Sequence, residues 1–215
     1  MVKVKICGLT NIEDAVYADE CGADLLGFVF PAESPRCVTP DKVKRIMDGL
    51  PEMVCGVGLF KDDDPGRVRD CALSCGLKYL QLHGGETPDY CGELKDMLGT
   101  EGCDIKIIKT FKVGESILGR PASEYHAADY YLFDTYHPVM MGGTGHSFDW
   151  GIVKRFEGEK PFFLAGGLTR ENVKRAVAET EPFGVDVSSG VESSVGKKDK
   201  NKIKEFIINA KSTGS

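Results

Sequence analysis

The chain has 215 residues, 41% of them hydrophobic and 26 of them glycine, which is enough for one sizeable core and short for two, so one α/β domain is expected over residues 1–215. Its 27 Lys and Arg stand against 33 Asp and Glu, a net charge of −6 with no basic run, which argues against a nucleic-acid partner. No apolar stretch reaches the roughly 18 residues of a membrane span, and the lysines close behind Met1 do not form a secretion signal, so a soluble, cytoplasmic protein with no membrane partner is expected.

Short β-branched runs alternate with stretches of helical period about eight times. A strand over 2–7 runs into Cys7-Gly8-Leu9-Thr10, and Asn11 opens a helix over 11–21. Strand 24–30 leads through a proline-stiffened loop, residues 30–38, to a helix over 40–49 opened by Thr39. Strand 53–60 precedes helix 65–75, and strand 78–82 precedes helix 87–98 with Thr87 at its start. After strand 104–111 the segment 112–128 carries Gly114, Gly119 and Pro121, which predicts a short or irregular fifth helix with one turn around 122–126. Strand 130–134, helix 149–156, strand 160–165, helix 170–179 opened by Thr169, strand 184–187 and helix 199–211 complete the series. Strands separated by helices pair in parallel through right-handed crossovers, and eight such units close into a single-domain (β/α)8 TIM barrel. A doubly wound open sheet is the alternative; it fits less well because no G-x-G-x-x-G follows the first strand.

Catalytic groups of such barrels sit at the carboxyl ends of strands, which makes Cys7 the first candidate. Arg36 follows the second strand and is suited to gripping a carboxylate through its fork. Gln81 and His83 alternate around Leu82, so both face the barrel mouth. Asp134 ends an otherwise apolar strand, where partial burial would let its carboxyl hold a proton as an acid opposite Cys7. Glycine-rich stretches follow the sixth, seventh and eighth strands at 142–145, 165–168 and 188–190; the last two stand where barrels commonly cradle a phosphate on backbone N–H groups. The eight cysteines are expected to be reduced, and Cys71 and Cys75, one helical turn apart with no neighbouring His, do not predict a metal. A thiol, an acid, a carboxylate clamp and a phosphate cradle suit proton transfer on a small phosphorylated molecule bearing a carboxylate.

At these residues the chain resembles the phosphoribosylanthranilate isomerase family. The matching motifs are Lys5-Ile-Cys-Gly-Leu-Thr10, Ser34-Pro-Arg36, Gln81-Leu-His-Gly84, Phe133-Asp134, Gly142-Gly-Thr-Gly145 with Phe148-Asp-Trp150, Leu164-Ala-Gly-Gly-Leu168 with Asn172-Val173, and Val185-Asp-Val-Ser-Ser-Gly-Val-Glu192. The resemblance implies a (β/α)8 barrel that converts N-(5-phosphoribosyl)anthranilate to 1-(2-carboxyphenylamino)-1-deoxyribulose 5-phosphate by an Amadori rearrangement in tryptophan biosynthesis, with no cofactor, as a monomer or homodimer. It implies Asp134 as general acid and Cys7 as general base, the latter a thiolate with its pKa lowered toward the working pH. It further implies Arg36 on the anthranilate carboxylate, Asp186 on the sugar, Gln81 and His83 as further substrate-binding residues, and Gly143, Gly145, Gly166, Gly167, Ser188, Ser189 and Gly190 on the phosphate. The sequence departs from the family pattern at Leu59, His146 and Thr169, none of them a proposed proton carrier. Another phosphosugar barrel isomerase or epimerase, or a barrel that binds without catalysis, is the rival reading.

Overall fold

A computed structural model describes residues 1–113, 121–134, 150, 153 and 160–212. In chain order it runs β1 (Lys3–Ile6), α1 (Ile12–Glu20), β2 (Leu25–Val29), α2 (Pro40–Asp48), β3 (Gly56–Phe60), α3 (Pro65–Ser74), β4 (Tyr79–Leu82), α4 (Pro88–Thr100), β5 (Lys106–Lys112), β6 (Tyr130–Asp134), β7 (Phe162–Ala165), α5 (Val173–Thr180), β8 (Gly184–Val187), β9 (Glu192–Ser194), β10 (Lys197–Lys198) and α6 (Lys200–Lys211). Strands β1 to β8 lie side by side in sequence order, all parallel, and β8 pairs with β1 to close the barrel. This is the expected (β/α)8 architecture, and the open sheet is excluded. Among the described residues no helix is long and apolar enough to cross a membrane.

Three helices start by one device. Thr39, Asp64 and Thr87 each accept a hydrogen bond from the backbone N–H three residues on, and Pro40, Pro65 and Pro88 fill the adjoining position, where a missing N–H costs nothing. Asn11 and Asp199 cap α1 and α6 in the same way. Among the described residues between β5 and β6 the turn expected around 122–126 is a 3-10 turn, Ala122–Glu124; residues 114–120 of the expected irregular fifth helix lie outside the described residues. The helix expected over 149–156 lies outside the described residues, Trp150 and Val153 apart.

Two features differ from expectation. Helix α5 starts at Val173 rather than at 170, because the Asn172 side chain, instead of capping α5, accepts from the Thr169 N–H at 2.8 Å and donates to the Gly167 carbonyl at 3.0 Å. The unexpected β9–β10 pair is an antiparallel hairpin turning through Gly196, too short and too charged to leave an alternation signal.

Strand alternation divides the burial. Val4, Ile6, Leu26, Phe28, Tyr131, Phe133, Val185 and Val187 face outward into the large core shared with the helices. Leu25, Val57, Ile108, Leu132, Phe163 and Ala165 pack inside the barrel. Phe163 fills the axis because β8 offers Gly184 there; a Cβ on that residue would lie 2.5 Å from the Phe163 ring. Above this apolar plug the interior turns polar, with Lys5, Gln81 and Asp186 all buried.

Candidate active site

At the carboxyl ends of the strands lies a cavity of about 410 Å³, lined among others by Cys7, Arg36, Gln81, His83, Asp134 and Asp186. Gly166, Gly167, Ser188, Ser189 and Gly190 form another wall of the same cavity. Every described residue singled out from the sequence is therefore brought to one place. Gly143, Gly145 and His146 lie outside the described residues.

Cys7 follows β1 and is 4% exposed. Its thiol differs from the expected low-pKa thiolate: burial pushes its pKa up, Lys5 and Lys198 pull it down, and Asp186 adds to the upward push, with a net upward shift. Next to it Gly8 is left-handed (φ 72°), and a Cβ there would lie 2.6 Å from Arg36 Cδ and 2.8 Å from Ser188 Oγ. Only glycine lets the chain leave β1 so close to both.

Arg36 does not present an open fork. Its Nε and Nη2 each donate at 2.7 Å to the two carboxylate oxygens of Glu192, the bidentate geometry that arginine favours. Glu192 also accepts from Lys198 Nζ at 3.1 Å, and the two cations outweigh burial to hold its carboxyl below the ordinary range. Two of the five guanidinium N–H donors are thus taken, and the remaining edge of the group is left for an anion in the cavity. Glu192 and Lys198 sit on the β9–β10 hairpin, which the sequence did not reveal.

Opposite, a chain of polar side chains runs across the mouth. Lys5 Nζ donates to Gln81 Oε1 at 2.6 Å and to Asp186 Oδ1 at 3.1 Å. Since lysine only donates, Gln81 must turn its NH2 toward His83 Nδ1, 3.1 Å away, and Thr110 Oγ1, 3.4 Å away. His83 Nδ1 is then the acceptor, and its Nε2–H faces Asp134 Oδ2 at 3.6 Å. Burial, reinforced by Lys5, Lys112 and Lys109 and opposed by Asp186, lowers the His83 pKa to about 4, so the ring is neutral near pH 7.

Below His83 the buried pair Lys109–Glu86 (2.6 Å) binds three segments together. Glu86 accepts from the N–H groups of Asp62 and Gly84, and Lys109 donates to the Gly84 carbonyl. The loops after β3 and β4 are thereby fixed to β5.

The glycine wall is continuous. Gly166 and Gly167 are both left-handed (φ 88° and 63°), and Asn172 holds the Gly167 carbonyl through its side-chain NH2. The loop after β8 lies directly on the loop after β7: a Cβ at Gly190 would overlap the Leu168 carbonyl oxygen. Adjacent backbone N–H groups of this kind make an anion-binding concavity.

An acid, a thiol and an anion cradle around the carboxyl-end mouth define a (β/α)8-barrel enzyme acting on a small molecule. Residues 4–209 match the family model described as N-(5'phosphoribosyl)anthranilate (PRA) isomerase. An N-(5'-phosphoribosyl)anthranilate isomerase of Geobacter sulfurreducens is 45% identical over 211 residues, covering 98% of this chain and 99% of its own. The crystal structure of phosphoribosyl anthranilate isomerase from Thermotoga maritima superposes with a TM-score of 0.86 at 40% identity, over 98% of this chain and 99% of that one. A phosphoribosyl anthranilate isomerase in complex with reduced 1-(o-carboxyphenylamino)-1-deoxyribulose 5-phosphate superposes with a TM-score of 0.83 at 38% identity, over 98% and 99%. The chain belongs to the N-(5'-phosphoribosyl)anthranilate isomerase family.

Lys5, Asn172, Glu192 and Lys198 were not assigned roles from the sequence. Lys5 lay two residues from Cys7 on the same strand face, the one signal that could have drawn attention to it.

Proposed function

We propose that this chain converts N-(5-phosphoribosyl)anthranilate to 1-(2-carboxyphenylamino)-1-deoxyribulose 5-phosphate, a step of tryptophan biosynthesis, using Asp134 as acid and Cys7 as base. The observation that carries this assignment is that both groups line one cavity, from β1 and β6, with the glycine loops after β7 and β8 between them. Asp134 protonates the furanose ring oxygen, the C1–O bond breaks, and the anilino nitrogen lone pair closes a Schiff base. The cationic imine makes the C2–H acidic, and the Cys7 thiolate removes that proton to leave an enolamine, which tautomerises to the aminoketone.

The remaining groups bind. Arg36 offers its free edge to the anthranilate carboxylate while Glu192 holds the other edge. The N–H groups of Gly166, Gly167, Ser188, Ser189 and Gly190 take the phosphate, and Gln81, His83 and Asp186 surround the sugar. Gly143 and Gly145 complete the phosphate contacts in this scheme. The enzyme works without a cofactor in the cytoplasm, as a monomer or homodimer.

The decisive assay follows the loss of anthranilate-type fluorescence when purified protein meets freshly generated phosphoribosylanthranilate. Rapid decay with the wild type and little with Cys7→Ser or Asp134→Asn is expected, with kcat falling far more than KM changes. Wild-type turnover by Cys7→Ser would remove the thiol from the mechanism, and no decay with folded wild type would remove the substrate assignment.

A further inference from the structure

Lys5 has no part in the chemistry above, yet its side chain is fully buried beneath the cavity floor. An ammonium in that position is costly unless each of its donors is matched. Gln81 Oε1 and Asp186 Oδ1 match two of the three. The neighbouring strand shows what lies beside the third. Cys7 and Lys5 project to the same side of the chain, and a Cβ at Gly27 on β2 would lie 2.9 Å from Cys7 Sγ and 3.1 Å from Lys5 Cε. The sulfur and the end of the lysine chain thus converge on the space that this glycine leaves open.

We infer that Lys5 is the positioning residue of the base: its ammonium, held by Gln81 and Asp186, lies beside Cys7 Sγ, turns its third N–H toward it and supports the thiolate there. This rests on Cys7 acting as the base. Supporting the geometry, burial works against the Lys5 charge but Asp186 and Cys7 outweigh it, so the lysine stays cationic beside the sulfur. Four charged groups act on or near that sulfur. Lys5 from β1 and Lys198 from β10 favour the thiolate, Asp186 from β8 opposes it, and Arg36, after β2, is coupled to it at longer reach. Asp186 therefore has two opposed effects, holding Lys5 in place while repelling the charge that Lys5 induces.

That opposition separates this role from a merely structural buried ion pair. Removing either partner of a structural pair would loosen the floor in the same way, whereas the two partners shift the thiol in opposite directions here. The experiment uses the full chain without substrate, labelled by iodoacetamide across a pH series, with the Cys7 peptide quantified by mass spectrometry. The thiolate displaces iodide and forms a thioether, so the labelling midpoint reports its ionisation.

Lys5→Met should raise the midpoint by about one unit, roughly tenfold slower labelling at a fixed pH below it. Asp186→Asn should lower the midpoint, and Lys5→Arg should stay close to the wild type. Midpoints that move together, or do not move, would overturn the inference. If Lys5→Met does not fold, Lys5→Gln, which removes the charge but keeps a polar chain, decides, and an unchanged or lowered midpoint in it is the refuting result. Labelling needs no turnover, so an active Cys7→Ser enzyme would count against the base assignment and leave the Lys5–Cys7 coupling to be judged on the midpoints.

Discussion

Lowering the pH from 7 to 4 should destabilise this protein through one side chain, His83. In the unfolded chain an imidazole takes up its proton near pH 6.5, while in the folded protein burial and three lysines delay this to about pH 4. Between those values the unfolded state binds the extra proton and the folded state does not. The sign is therefore fixed: stability is intact above about pH 6.5 and falls as the pH drops toward 4. A difference of 2.5 units at 1.36 kcal/mol each gives about 3 kcal/mol, an upper bound because 26% of the His83 side chain still meets solvent. Urea unfolding at pH 7, 5.5 and 4 on the wild type and His83→Gln isolates this contribution, since the carboxylates titrate in both. The wild type should lose about 2–3 kcal/mol more than the variant between pH 7 and 4. Equal losses would refute a neutral, proton-resisting His83 and with it the hydrogen-bond direction assigned through Gln81.

Arg36→Ala should raise KM about tenfold or more with little change in kcat, since a charge-assisted hydrogen bond to a carboxylate contributes ~1.5–3 kcal/mol; steady-state kinetics would show it, and a kcat loss without a KM change would contradict it. Gly190→Ala drives a methyl group into the Leu168 carbonyl, so the loops after β7 and β8 must part, and if they hold the phosphate as proposed, inhibition by inorganic phosphate should weaken along with kcat/KM. Lys109→Met leaves Glu86 buried and unpaired, an expected loss of about 3–5 kcal/mol in urea unfolding, whereas an unchanged midpoint would mean the loops after β3 and β4 do not depend on that pair.

The barrel was legible because its signals are local and repeated. Caps at Asn11, Thr39 and Thr87 and the apolar runs before them mark three of the βα units, and the turn expected around 122–126 is found at Ala122–Glu124. Cys7, Gln81, His83 and Asp134 were found by the strand-end rule, which needs only the alternation of side chains. What stayed hidden depends on contacts far apart in the chain. Glu192 meets Arg36 across 156 positions and Lys5 meets Asp186 across 181, distances over which no pattern of spacing carries information. The raised Cys7 pKa was missed for the same reason, since burial is a property of the closed barrel and not of the strand. Thr169 misled through its position, because the helix it was expected to open begins only at Val173, after Asn172 has turned back to the Gly167 carbonyl.

The Arg36–Glu192 clasp bears on the entropy of binding. A free arginine side chain carries about 2 kcal/mol of rotamer entropy, which a substrate carboxylate would ordinarily have to overcome in order to be held. Here Glu192, on a hairpin pinned by Lys198 and Lys202, has already restricted that freedom before any ligand arrives. In the proposed complex the carboxylate meets a guanidinium fixed during folding, so the hairpin after β8 would contribute affinity at the far end of the substrate without touching it.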